Sequence, residues 1–295
     1  MDQRLLLMHQ VMLGDRPRLR AYDRALEQAV KPDDVVIDVG AGTLALSLLA
    51  LRHGAGHVYA IEADPQMAEV AERVVKANDL TGRVTLIQGD ARAVRLPERA
   101  DVLVAELMGN LGPEEAMSEV VGAVARRNLR PEGRVVPSRL RTWLVPVQFD
   151  NEGWGLWQDD FFGYRLDAVA EDALAEAHMH FFQREPALLA DPVAVVDSRL
   201  GGPPADPPRL ARVPVTRSGR LDAILGYFSA DLGDETLANF PSYPGCNWAV
   251  WVWPLRHTTV EAGDEVRMQI RPPARGQARL ATQWRLDCGI NRQGR

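Results

Sequence analysis

The 295-residue sequence predicts an α/β half followed by a β half, and three observations lead there. Between residues 33 and 136, short apolar runs alternate with segments of helical spacing, the pattern of a parallel sheet covered by helices. A Gly-x-Gly turn closes the first of those runs. After Pro137 the helical spacing gives way to apolar and alternating runs punctuated by Pro and Gly, the texture of a sandwich or barrel.

Taken in order, residues 1–30 read as one or two helices with a break at Pro17. Strands are expected at Val35 to Asp38, His57 to Ile61, Val84 to Ile87 and Asp101 to Ala105, with a fifth opening at Gly133 to Val136. Helices are expected between them at Thr43 to Arg52, Pro65 to Asn78 and Glu115 to Arg127. In the second half, strands are expected at Leu140 to Val147, Leu210 to Val215, Ala249 to Trp253 and Glu265 to Ile270. Asn151 to Leu200 reads as an insertion of helical runs rich in aromatics (Trp154, Trp157, Phe161, Phe162, Phe181, Phe182). Exposed aromatics on an insertion predict packing against something, and a dimer partner fits. The expected division is therefore 1–30, 31–137 and 138–295, with the insertion at about 151–200.

Composition narrows the function classes. With 46% hydrophobic and 25% charged residues the chain is globular. A formal charge of −6 argues against a nucleic-acid binder. Two cysteines, Cys246 and Cys288, exclude a disulfide framework and fit a reducing compartment. Six scattered histidines offer no metal-ligand spacing, and no apolar run is long enough to cross a bilayer. The short, quickly charged start does not read as a signal peptide. The expectation is a cytoplasmic protein with no metal, membrane or nucleic-acid partner.

The turn Asp38-Val39-Gly40-Ala41-Gly42 ends a strand at a helix start, where backbone can approach a ligand without a Cβ in the way. Thr43-Leu44 follows, so the third glycine of a dinucleotide fingerprint is missing. Gly-x-Gly alone is compatible with an ordinary tight turn. Glu62 strengthens the ligand reading, because it closes the second strand where a carboxylate can accept both ribose hydroxyls. Asp90, before Ala91, stands where a third loop can meet an adenine edge. Three strand ends bearing Gly-x-Gly, Glu and Asp fit S-adenosylmethionine better than NAD.

Glu106 closes the fourth strand on the same edge, and Glu115 follows after a Gly/Asn/Pro loop. Two carboxylates flanking one pocket can grip a guanidinium by forked hydrogen bonds. Glu114 reads as an ordinary acid favoured by a helix N-terminus.

That segment and its neighbours resemble the protein arginine methyltransferase family over nearly the whole chain. The family's Ser-Glu-x-Met-Gly hairpin, with a second Glu nine positions on, is met by Ala105-Glu106-Leu107-Met108-Gly109 and Glu115. Its pattern His-x-x-Met-Leu-x-Asp-x-x-Arg-x-x-x-Tyr is met by His9, Met12, Leu13, Asp15, Arg18 and Tyr22. Leu129, Pro131, Gly133 and Pro137 are similar to the family's exit from the cofactor domain, and Phe162-Gly163-Tyr164 to its dimerisation arm. The resemblance implies a Rossmann-like class I methyltransferase domain, then a β-barrel-like domain with an inserted helical dimerisation arm, assembled as a homodimer. It implies S-adenosyl-L-methionine as cofactor, with Arg18 on its methionine carboxylate, His9 nearby, Gly40 and Gly42 beneath it, and Glu62 on the ribose. Asp38 and Ala91 would complete the cofactor site. Glu106 and Glu115 would hold the substrate guanidinium, in a pocket shaped by Met12, Asp15, Asn247 and Trp248.

Four departures mark a divergent member. Asn247 stands where the family has a histidine able to pair with the Asp matched by Asp15, and an amide cannot shuttle a proton near neutral pH. Leu44 replaces the third glycine. Arg92 stands where many members carry an adenine-contacting Glu, so that role passes to Asp90. The chain begins about eight residues before His9, so the family's leading Tyr-rich helix is expected to be absent or reduced. Richness in Ala, Arg and Leu fits a GC-rich bacterial genome. The expectation is guanidino N-methylation of arginine, free L-arginine slightly favoured over peptidyl arginine. A methyltransferase of another amine, or a non-catalytic scaffold, are the alternatives.

Overall fold

The computed structural model describes residues 2–150, 152–157, 160–169, 176–243, 247–273 and 284–293, without the side chain of Trp154. Cys246 and the run at 170–175 lie outside the described residues. Helices α1 (Gln3–Gly14) and α2 (Arg16–Ala29) meet at Asp15. Its carboxylate caps α2 by accepting the Arg18 N–H at 3.2 Å. Pro17 lies in the first turn of α2, where its missing N–H has no helical partner to lose.

Five strands build the parallel sheet: β1 (Val35–Val39), β2 (His57–Glu62), β3 (Val84–Gln88), β4 (Ala100–Ala105) and β5 (Leu129–Val136). Helices α3 (Ala45–Arg52), α4 (Pro65–Ala77) and α5 (Met117–Asn128) alternate with them. The order β3-β2-β1-β4-β5 puts β1 beside β4. Strand order reverses there, which opens a crevice beyond their carboxyl ends. Chain direction thus brings Gly40, Glu62 and Glu106 to one edge.

The remaining strands are antiparallel. They are β6 (Arg139–Gln148), β7 (Asp160–Phe161), β8 (Tyr164–Arg165), β9 (His178–His180), β10 (Ala187–Leu188), β11 (Val193–Arg199), β12 (Ala211–Pro214), β13 (Gly219–Leu232), β14 (Glu235–Ala238), β15 (Val250–Val260), β16 (Glu265–Arg271) and β17 (Arg285–Asn291). A seven-stranded sheet has the path β10-β6-β13-β15-β9, with β11 on β6 and β14 on β13. A three-stranded sheet runs β12-β16-β17, and the two share an apolar core around Trp251, Trp253, Ile224 and Met268. Both expected halves are therefore present.

Two expectations need correction. The insertion does not extend to residue 200, because β9, β10 and β11 are ladder strands paired with β15 and β6. Pro186 and Pro192 bar a continuous helix there. Outside the sheets, the described insertion is a 3-10 turn at Gly153–Trp157, the β7–β8 hairpin and a 3-10 turn at Asp167–Val169. It contains no α-helix among the described residues. The central strand β13 was not anticipated, because it is buried on both faces and shows no alternation.

The two halves are also less separate than the expected division. Phe228, Ala230 and Leu232 of β13, with Leu140 of β6, pack in the same core as Ile37, Leu103 and Leu26. Helix α2 is bolted to the sheet by the fully buried Tyr22, whose hydroxyl donates to the Ala105 carbonyl at 2.9 Å, one residue before Glu106. Tyr22→Phe removes that bond and strands a buried acceptor. Urea unfolding should show a loss of about 1–2 kcal/mol; unchanged stability would mean the carbonyl finds water instead.

Candidate active site

A cavity of about 810 Å³ opens at the carboxyl edge of the parallel sheet. Gly40, Gly42 and Glu62 form one wall and Glu106, Met108 and Glu115 another, while Trp248 comes from the antiparallel half. Helix α1 covers it with His9 and Met12, tethered by the Asp2 N–H to Gln66 Oε1 at 2.6 Å.

The glycine turn makes a close cradle. Gly40 and Gly42 both have left-handed backbones (φ +74° and +50°). A Cβ on Gly42 would lie 2.8 Å from the His9 ring, and one on Gly40 2.8 Å from the Leu107 side chain. Leu44 also adopts the left-handed region (φ +70°), where a third glycine would sit without strain, but its fully buried side chain joins the core. The consequence of that departure is local strain of about 1–2 kcal/mol offset by burial. Glu62 accepts the Gly42 N–H at 2.8 Å and the Asp64 N–H at 2.8 Å, so backbone donors fix both oxygens. Asp38 lies under the turn, hydrogen-bonded by Ser47 at 2.6 Å, with its other oxygen buried and unpartnered. Burial, against the Ser47 bond, raises its carboxyl to about 6. This cradle, with its spare buried acceptor, fits the adenosyl and aminoacyl parts of S-adenosylmethionine. Desolvation lowers the pKa of His9, opposed by Glu62 and Asp64.

On the substrate side Arg18 is the central cation. Its Nη1 donates to Glu106 Oε2 at 2.9 Å, its Nη2 reaches the Met12 carbonyl at 3.4 Å, and its guanidinium lies 4.2 Å over the Trp248 ring. Glu106 also accepts the Met108 N–H at 3.3 Å. Burial raises the Glu106 carboxyl, with Arg18 pulling the other way. Glu115 has surface open to solvent, yet its carboxyl sits within the cavity walls and makes no hydrogen bond among the described residues. Desolvation, then the charges of Glu106 and Glu114, raise it to about 7.

Of the residues picked out in the sequence, His9, Met12, Arg18, Gly40, Gly42, Glu62, Glu106, Glu115, Asn247 and Trp248 all line this cavity. Four do not. Asp38 lies beneath the turn, as described. Asp15 is buried behind Arg18 as a cap and receives the Asn247 main-chain N–H at 2.9 Å. The Asn247 side chain turns away to the Val11 carbonyl at 3.0 Å. Asp90 is exposed and held by the Arg92 side chain at 2.6–3.0 Å, and Ala91 is buried off the cavity. Asp64 and Met67, at the start of α4, are among the wall residues that the sequence motifs did not mark. The Asp64-Pro65 pair is a helix-start signature that marks the second strand's loop. Glu114 was misread, since it is only 6% exposed. The chain turns left-handed at Ala116 before α5 begins, so Glu114 does not sit on that helix.

Comparison with known proteins agrees with this geometry. Residues 23–138 match the family model described as ribosomal protein L11 methyltransferase (PrmA). Protein arginine N-methyltransferase 1 of Schizosaccharomyces pombe is 29% identical over 287 residues, 92% of this chain and 84% of that protein. Protein arginine N-methyltransferase PRMT10 of Oryza sativa subsp. japonica is 33% identical over 195 residues, 60% of this chain, which spans about half the length of that relative. The crystal structure of Arabidopsis thaliana protein arginine methyltransferase 10, described as uniquely open, superposes with a TM-score of 0.79 at 25% identity, covering 98% of this chain and 94% of that one. The Trypanosoma brucei PRMT1 enzyme–prozyme complex with AdoHcy shares the fold at a TM-score of 0.75 and 20% identity, over 96% of this chain and 97% of that one.

A carboxyl whose folded-state pKa is raised to about 7 binds its proton more tightly folded than unfolded. Its contribution to stability therefore falls as pH rises from the ordinary carboxylate range to about 7, and is fully unfavourable above. Glu115→Gln should raise the melting temperature at pH 8 by about one or two degrees and change it little at pH 4. A lower melting temperature at pH 8 would show that the charge is compensated in the fold.

Proposed function

We propose that this chain, which belongs to the protein arginine methyltransferase family, methylates arginine side chains presented within a protein or peptide. It is an S-adenosylmethionine-dependent arginine N-methyltransferase. The observation that carries the reading is the placement of Glu106 and Glu115 on one cavity, facing the Gly40, Gly42 and Glu62 wall. Bound in that wall, the cofactor supplies an electrophilic sulfonium methyl.

The chemistry of the protein groups follows from their states. Guanidinium is protonated at any ordinary pH and its nitrogen lone pairs are delocalised, so it is a poor nucleophile. Glu115, with both oxygens free of protein donors, can take two N–H groups of a substrate guanidinium. Glu106 keeps lone pairs to share although one oxygen already receives Arg18. The grip draws positive charge toward the held nitrogens and leaves the remaining nitrogen aimed across the cavity, so positioning does most of the work. Glu115, raised to about 7 and with no cation among the described residues on its carboxylate, is the one suited to accept the proton released on methylation. Arg18, beside Glu106 on the same cavity, can serve the carboxylate of the cofactor's methionine part. Asn247 moves no proton, since only its main chain meets Asp15.

The expectation of free arginine rests on a reduced cover and on the divergent motif at Asn247, but residues of α1 from Arg4 to Leu13 line the cavity as a cover. The relatives' names also specify protein arginine. Peptidyl arginine is therefore preferred. We further infer a homodimer, on the β7–β8 hairpin that leaves Phe161, Phe162 and Tyr164 exposed by 47%, 86% and 74%, and a cytoplasmic location, on the cysteine usage.

Mass spectrometry after incubation with S-adenosylmethionine should show a 14-Da gain on an arginine-rich peptide and none on free L-arginine; the converse would make this a small-molecule enzyme. Glu106→Gln and Glu115→Gln should each lower kcat by roughly a hundredfold or more while sparing cofactor binding, and wild-type turnover in both would remove the paired-carboxylate mechanism. Because ionised Glu115 is required, kcat/KM should fall below about pH 7. Phe161→Ser with Phe162→Ser should shift the protein towards monomer in light scattering, and a monomeric wild type would refute the hairpin's role.

A further inference from the structure

The loop that carries Glu115 holds a third carboxylate. Glu114 is buried, and its Oε1 accepts the Leu111 N–H at 2.6 Å, closing the loop on itself. The side chain lies flat beneath Gly109, where an added Cβ would come within 2.5 Å of its carboxyl. Its Oε2 is buried without a hydrogen bond, and so is the indole N–H of Trp251 on β15. The indole nonetheless favours the ionised carboxyl. Adjacent in one 3-10 turn (Pro113–Glu115), Glu114 points into the protein and Glu115 into the cavity.

Nothing in the grip on a guanidinium requires this group, and an acid 6% exposed in an apolar seam is costly unless it does something. We propose that Glu114 is a positioning residue: its buried carboxylate sets the orientation of Glu115 from beneath and adds a second negative charge to the field in which Glu115 works. The N–H donors around it (those of Leu111, Gly112 and Trp251 among them) favour the ionised form, while burial is the larger effect and raises the carboxyl above its ordinary range. A charge behind Glu115 keeps that carboxylate basic enough to take up a proton while leaving its oxygens free for substrate. The catalytic contacts stay with Glu106 and Glu115. The proposal rests on the arginine methyltransferase reading only for the meaning of the kinetics.

The test compares Glu114→Gln, which keeps size but removes charge, with Glu114→Ala, which removes the support as well. In Glu114→Gln the acidic limb of kcat/KM should move to lower pH by on the order of one unit. Glu114→Ala should show the same movement and also lose on the order of 10–100-fold in kcat, with cofactor Kd within about threefold of wild type. A purely structural side chain would change stability without moving the limb. An unmoved limb in Glu114→Gln overturns the proposal. A readout independent of activity is the carboxyl ¹³C titration of Glu115, assigned with Glu115→Gln in protein labelled at glutamate. Its midpoint should fall in Glu114→Gln, and an unchanged midpoint refutes the proposal even if the substrate is not arginine. Absence of any arginine methylation by wild type would sink the substrate reading instead. Should Glu114→Ala fail to fold, the near-isosteric Glu114→Gln decides alone.

Discussion

Two carboxyl groups facing one partly desolvated cavity resist being ionised together, and the rest of this structure is arranged to hold them there regardless. Burial raises both carboxyls, and the charge of Glu106 raises that of Glu115 further. The groups do not relax apart because the loop between them is braced at its main chain from the antiparallel half. Trp248 donates to the Met108 carbonyl at 3.1 Å, Asn239 to that of Asn110 at 2.8 Å, and Thr142 to that of Leu111 at 2.8 Å. Three side chains from the second half thus fix three carbonyls of a loop rooted in the first. The antiparallel sheets serve as a clamp on the site as well as a wall of it.

The same constraint explains why one cation is held so firmly. Arg18 lies against Glu106, near Asp15 (3.5 Å) and over the Trp248 face, with only 6% of its side chain exposed. A guanidinium fits here better than an ammonium, because its plane stacks while its edge donates. Positive charge is thereby supplied to Glu106, while no cation among the described residues pairs with Glu115. One is steadied by the protein; the other is left basic and free.

Much of this was legible in the sequence, for identifiable reasons. Strands β1 to β4 announced themselves because parallel strands, buried on both faces, read as short apolar runs between helices. The site residues at their carboxyl ends followed from chain direction alone, which is why Gly40, Gly42, Glu62 and Glu106 were all found. What escaped depended on details that residue type and spacing do not encode. Strand β13 carries neither period because it divides its side chains among three cores. Asp90 was assigned a ligand because its tie to Arg92 is a matter of rotamers. Glu114 was read as a helix-start acid because the left-handed step at Ala116 has no sequence mark on an alanine. At Asn247 the side chain drew attention while the main chain made the contact.

The shared core has a consequence for how such a protein can change. Leu140, Phe228, Ala230 and Leu232 fill the space against the parallel sheet that a free-standing cofactor domain would have to cover by other means. Cut at residue 137, the first half would expose that apolar face and lose the three braces on its substrate loop. The halves are thus one cooperative unit and not exchangeable modules. Exchanging the second half for another fold would have to rebuild this packing and the three braces together. New specificity would have to come through surface segments such as α1 and the hairpin, whose rewriting leaves the seam intact.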